Sequence, residues 1–523
     1  MKIAAALIVV LALAAPFQAP RPDLAACVPS GPLLYLEARD FGALLRDWNA
    51  SGEKRAWLDS ANYEVFTRSR LFGRLGEAWQ EFAAAAGFSP AMQALDPIAG
   101  GRSALALYDV GKLEFLYISA APSANVMESV LWQSRAKYES RNAGGSPFYV
   151  HADPASGRVV AFAVYRDYVL LGTREELVAG ALRLLAGEKL LAVNQDPWFR
   201  ESVRAAGSPG DVRLVMNLET IMRTPYFRSY WIQRNSTMLK PYWAGIADAR
   251  LTPAEIREDR VLLRSAAEAR PQGAPSAGVA SLARLVPDDA GLYRAWAAPE
   301  IPAVADLIRD KLLEPAVSRA AFSQNAPWVP ETANAGGESD FETRIDEPPL
   351  ADTGSHFEIE PLRKLLARAG MLSVLHVQTS RLLADGVFVE TPSAIVLAAS
   401  SAWDPDSVRV ALEGGADNVE FNARGNLLVL ANSADLLKEI LKRVDRKPAA
   451  GDAIYIAGFR HAAERANFEK MMAALDYSKP QPTFFSGNVA SLSRVLSRVS
   501  TESIVVHDNG GSLTQTVIYK RPG

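Results

Sequence analysis

The residues best equipped to ligate a metal or to act as nucleophile and base are the histidines His151, His356, His376, His461 and His507, with one cysteine, Cys27. No two of the histidines stand three or four apart, the spacing that sets two imidazoles on one helical face. His461-Ala-Ala-Glu464-Arg465 resembles an inverted zinc-protease motif, but Arg465 occupies the place of the second histidine. Catalytic zinc takes three protein ligands, so an ordinary helix end is the expectation there. One cysteine excludes an intramolecular disulfide and a cysteine-rich metal site. Ser134-Arg-Ala-Lys137 fits a Ser-x-x-Lys acylation pair, yet the Lys-Thr-Gly strand that completes such a site does not occur. A Gly-x-Ser-x-Gly elbow does not occur either. Gly100-Gly101 and Gly144-Gly145 lack the lysine of a phosphate loop and read as turns before strands. The sequence therefore predicts no catalytic residue, no cofactor and no metal.

Aromatic residues form the other concentration of chemistry. Tyr226, Phe227, Tyr230 and Trp231 share one face of a helix, and Tyr242 and Trp243 follow. Phe468, Met471, Met472 and Leu475, then Phe484 and Phe485, stand at the corresponding stage later in the chain. Tyr226, Tyr230, Trp231 and Trp243 are the candidates for an apolar binding surface; packing between helix and sheet is the alternative and the favoured one.

The elements that position these residues follow from length and pattern. The 523 residues exceed the ~250–300 at which a single core stops growing. At 49% hydrophobic and 22% charged the chain has the composition of a globular protein. Its 56 basic and 59 acidic residues give a net charge of −3, without the positive field that nucleic acid or an anionic membrane requires. After Lys2, Ile3 to Ala15 is an apolar run of ~13 residues, the length of a secretory signal core and short of the ~20 that span a bilayer. Residues 1–19 are thus expected to be a cleaved signal, with Ala12-Leu13-Ala14 or Phe17-Gln18-Ala19 at the cleavage site and the mature chain outside the cytoplasm, periplasmic or secreted. Leu24-Ala25-Ala26-Cys27 resembles a lipobox, but Pro20, Arg21, Pro22 and Asp23 separate it from the apolar run, so lipid anchoring through Cys27 is disfavoured. No later stretch is long and apolar enough to span a membrane.

The same order of elements runs twice. Val28-Pro29 leads to a strand at Leu33–Leu36, and Val286-Pro287 to one at Gly291–Tyr293. Asp40 caps the helix after the first, and Pro299 suits the first turn of the helix after the second. Ala104–Tyr108 and Glu114–Ser119 form a hairpin around Asp109–Lys112; Gly386–Glu390 and Ala394–Ala399 are its expected counterpart. Tyr168–Gly172 is a strand followed by a helix in which Thr173 and Glu176 form a capping box. Leu427–Leu430 followed by Asn432 or Ser433 matches it. Asp211–Leu218 matches Asp452–Phe459, and Ser503–His507 and Ser512–Tyr519 close the chain. Short turns mean antiparallel pairing, with helices on one face. The predicted fold is α+β: two divergent copies of a unit with antiparallel sheet covered by helices. The first copy is residues 20–270, the linker 271–281 and the second copy 282–523. Residues 323–354 form an acidic, proline- and glycine-rich insertion; solvated linker is favoured over a calcium loop.

The Val28–Tyr35 opening, Asp40 and the step Asp96-Pro97-Ile98-Ala99-Gly100-Gly101 before Ala104–Leu107 resemble a family of exported bacterial proteins known only as a domain of unknown function. The resemblance implies export and an α+β body, and no activity or site. The expected role is a non-catalytic binding or scaffold protein of the cell envelope, with an unidentified protein or apolar molecule as partner. A carrier of a hydrophobic ligand and an enzyme with a site assembled from distant residues are the alternatives.

Overall fold

The structure is a computed structural model. It describes residues 23–60, 63, 66–68, 70–88, 97–224, 239–269, 278–313, 357–382, 389–413, 419–447, 451–464 and 498–522. The chain forms two compact units, residues 1–43 with 77–201, and residues 44–76 with 202–523.

Unit 1 contains β1 (Leu34–Ala38), β2 (Ser103–Asp109), β3 (Glu114–Ala120), β4 (Glu139–Ala143), β5 (Ser146–Ala152), β6 (Val159–Tyr165) and β7 (Tyr168–Gly172). They pair antiparallel in the order β1–β2–β3–β7–β6–β5–β4. On one face, Ala85, Val126 and Leu131 from helices pack on Val160, Phe162, Val169 and Leu171. Helix Glu175–Leu185 packs on β6 and β7, burying Leu177, Val178, Ala181 and Leu182. Gly144 and Gly145 both take positive φ in the two-residue turn from β4 to β5, a conformation glycine adopts without steric cost. As expected, Asp40 caps its helix, accepting from the Ala43 amide at 2.8 Å.

Unit 2 contains β8 (Val212–Met216), β9 (Tyr242–Leu251), β10 (Glu255–Arg264), β11 (Leu292–Ala297), β12 (Met371–Gln378), β13 (Arg381–Leu382), β14 (Val389–Glu390), β15 (Ser393–Ala399), β16 (Glu420–Arg424), β17 (Leu427–Ala431), β18 (Ala453–Arg460), β19 (Thr501–Asp508) and β20 (Ser512–Lys520). Apart from the β13–β14 pair, the order is β8–β9–β10–β20–β19–β18–β11–β12–β15–β17–β16, antiparallel throughout. The first-half strands β8 to β10 belong to this unit because β10 pairs with β20 along its length. Helices Ile301–Ile308, Ile359–Ala369 and Pro405–Ala411 cover one face of the β12–β15–β17 region. Helices Val279–Ala283 and Ala434–Val444 cover the other. The α+β class with antiparallel sheet therefore holds, but helices lie on both faces rather than one. The reason is legible in β15: Ser-Ala-Ile-Val-Leu-Ala-Ala is buried at every position, as in a strand with no solvent side.

Local expectations fail where side chains had a better use. Of the expected hairpin partner of Ala394–Ala399, only Val389–Glu390 is described, and it pairs with β13; β15 pairs with β12, whose Val374, Leu375 and Val377 continue both cores. Pro299 precedes the helix it was expected to open: Glu300 is the N-cap and the first-turn proline is Pro302. Thr173 makes no capping box, since the helix starts at Glu175 after Arg174. Its hydroxyl instead accepts from the Phe115 amide at 2.9 Å and donates to the Leu113 carbonyl at 3.2 Å, tying β7 to β3. Asn432, after β17, does the same for β15, its Oδ1 accepting from the Ser393 amide at 2.7 Å, and Ser433 caps the helix.

Candidate functional site

Buried polar atoms in native proteins nearly always find a partner, and one left unpaired costs roughly 1–3 kcal/mol. Several of the unpaired buried atoms of unit 2 gather on adjacent strands: Arg294 Nε on β11, both ring nitrogens of His376 on β12, His461 Nε2 just after β18, and Glu464 Oε1 a helical turn later.

Alternation along β11 and β12 creates the first part. Arg294 faces His376 across the ladder, and His376 faces Ile395 on β15. The neighbours on that face, Val374 and Ile395, belong to the apolar core beneath helix Ile301–Ile308 and the π-helical turn Arg309–Leu313. His376 is 1% exposed. Burial first, then the charges of Arg294 and Lys311, push its pKa down to about 3, so at neutral pH the ring is neutral. The Arg294 guanidinium lies over the Trp296 ring, 5.3 Å from its centroid. Among the described residues no carboxylate pairs with Arg294 or Lys311.

The second part lies where β11 and β19 begin and β12 and β18 end. Ser380 donates its hydroxyl to Glu464. The Glu464 carboxyl lies against Gly291, in the space a Cβ there would occupy. Burial raises the Glu464 pKa, and the Ser380 hydrogen bond offsets part of that rise. His461 is edge-on to Phe459, at 4.6 Å between centroids, and burial lowers its pKa. Its Nε2 is 4.0 Å from Glu502 Oε2, beyond hydrogen-bond reach, and burial raises the pKa of that carboxyl too. This region combines two neutral imidazoles, a guanidinium and two carboxyls that hold protons more tightly than usual. Among the described residues no hydroxyl is bonded to either of these imidazoles.

Tyr226, Phe227, Tyr230 and Trp231, with Phe468 to Phe485, fall outside the described residues, as do His356, Arg465 and the 323–354 insertion. Trp243 stands on β9 and is half-buried. Ser134 and Lys137 share a short 3-10 helix but turn apart: Ser134 donates to the Leu131 carbonyl at 2.9 Å and Lys137 to that of Gly87 at 3.1 Å. His151 contacts the Ala85 carbonyl at 2.6 Å and His507 the Asp452 carboxylate at 2.8 Å. The described residues contain no group of His, Cys, Asp and Glu able to hold a metal and no helix long and apolar enough to cross a membrane. Helical spacing missed His376 and Arg294, whose nearness is a strand register. Their signal is a charged or ionisable residue set inside an apolar strand, Tyr-Arg-Ala-Trp and Val-Leu-His-Val.

No protein-family model matches the chain, and no curated protein matches it. Among solved structures it is similar to crystal forms I and III of TP0453, each at 12% identity and a TM-score of 0.26, covering 47% of this chain and 81% of that one. Form IV gives 11% identity and a TM-score of 0.25, covering 46% and 79%.

Proposed function

We propose that this chain is an exported, non-catalytic protein of the cell envelope that binds a partner molecule, built from two divergent copies of one α+β unit. The observation that carries the binding role is the convergence of unpaired buried polar atoms on adjacent strands of unit 2. Such atoms are what a ligand satisfies. The duplication is supported by the matching orders β1–β2–β3–β7–β6 in unit 1 and β11–β12–β15–β17–β16 in unit 2. It is supported again by the Thr173–Phe115 and Asn432–Ser393 brackets, each closed by a second backbone bond of 3.1 Å.

Export with cleavage before Asp23 accords with the turn Leu24–Cys27, where Asp23 caps the N-terminus and Leu24, Ala25 and Cys27 are buried. A diacylglyceryl group on Cys27 would have to leave the unit 1 interior, and cleavage before Cys27 would delete the rest of the turn. Burial pushes the Cys27 thiol pKa up to about 11, with Asp23 adding to the rise. Native protein recovered from envelope fractions is expected to have an unlipidated Cys27 that a thiol reagent modifies only after unfolding. Native mass spectrometry of the same material is expected to show a bound molecule released on denaturation. A lipidated Cys27 contradicts the buried, unmodified Cys27, and cytoplasmic protein retaining Met1 contradicts export. A bare polypeptide from every fraction contradicts the binding role.

A further inference from the structure

Resting on that binding role, we infer that Arg294, His376 and Lys311 form a site for a compact oxyanion, a carboxylate or a phosphate monoester. The argument starts from charge. Arg294 and Lys311 bring two positive charges toward one buried imidazole, and no carboxylate among the described residues neutralises either. The largely buried guanidinium groups of Arg213, Arg264 and Arg443 in unit 2 have counter-charges in Asp248, Asp508 and Glu439. Arg294 has none among the described residues, and it stands opposite an imidazole with 1% exposure whose nitrogens are both unpaired.

The donor set suits an oxyanion. A guanidinium offers parallel N–H groups matched to carboxylate or phosphate oxygens, and a neutral imidazole offers one N–H. The Trp296 ring lies beneath the guanidinium and limits where it can turn. Lys311 is exposed on its π-helical turn, and its charge acts on the His376 imidazole. On the strand face of His376, Val374 precedes it, Ile395 stands opposite and Gln378 follows, and neither ring nitrogen is hydrogen-bonded.

The test is calorimetric titration of the full mature chain with inorganic phosphate, acetate, decyl phosphate and decanoate. Saturable one-to-one binding of at least one probe is expected. Arg294→Met and His376→Gln should each weaken it about tenfold or more, as loss of a charge-assisted hydrogen bond does. The exposed Lys311→Gln, which leaves the core untouched, should weaken it about threefold or more. Arg443→Met, on the opposite face of the sheet, should leave it unchanged. Thermal melts of each variant establish folding, and Lys311→Gln decides the matter if the buried variants unfold. Binding of phosphate or acetate alone assigns a free anion as ligand; binding confined to the decyl compounds assigns the headgroup of an amphiphile. Absence of saturable binding, or affinity indifferent to Lys311→Gln and the folded buried variants, overturns the site. If protein from the envelope still carries a bound molecule, that result removes this site and leaves the binding role standing.

Discussion

Arg264 and Asp508 show what a satisfied buried charge looks like in this molecule. Both side chains are 4% exposed. Arg264 donates to Asp508 Oδ2 and to the Gly510 carbonyl, each at 2.8 Å, joining the end of β10 to the turn between β19 and β20. Arg264→Met removes the guanidinium from a buried carboxylate and is expected to cost about 3–5 kcal/mol in urea unfolding, with Arg264→Met/Asp508→Leu recovering much of the loss. His376 is the contrasting case. Its folded pKa is depressed below the unfolded value by burial, Arg294 and Lys311. The unfolded chain therefore binds more protons between about pH 6.5 and pH 3, and stability falls as pH falls through that window. Unfolding free energies at pH 7 and pH 4 should differ by roughly 3 kcal/mol more in the wild type than in His376→Leu. Equal slopes would show that the imidazole is not held neutral.

At the scale of elements, strand-to-strand brackets outrank helix caps. The Thr173 hydroxyl serves the Phe115 amide and the Leu113 carbonyl, and nothing in the following helix. Thr173→Val should therefore cost about 1–3 kcal/mol, because it leaves a buried amide unpaired. Glu176→Ala should be close to neutral in the same denaturation assay, whereas a capping box would make both costly. The spacing Thr-x-x-Glu is present, but a capping box requires the threonine to sit at the helix boundary, and the boundary lies one residue later. The strands themselves were readable. β7, β17, β19 and β20 match the apolar runs and the Asp508–Gly511 turn, because period and turn chemistry are local. The partner of β15 was not readable. Sequence proximity favoured Gly386–Glu390, while burial on both faces required the apolar β12.

At the scale of the whole molecule, stability should be graded by burial. In unit 2, β15 is buried throughout, and in unit 1, β6 and β7 bury most of their residues. β4, exposed along most of its length, is the opposite extreme. Hydrogen exchange should leave the amides of β15 and β7 among the slowest and those of β4 among the fastest, a gradient set by how much structure must open to expose each bond. Uniform protection across these strands would contradict the layered packing described above.

Composition, the short apolar leader, the single cysteine and the turn signals determined the broad class from sequence alone: an α+β chain with antiparallel sheet, and an expectation of export. Each depends on residues close together in the chain. The tertiary structure decided which strands meet, and therefore that β11 lies beside β12 and brings Arg294 opposite His376. It also set Glu464 against Gly291 and His461 beside Phe459. Local propensity specifies a strand but not its neighbour; the neighbour is chosen by burial of both faces, and the unpaired polar groups lie where that choice placed them.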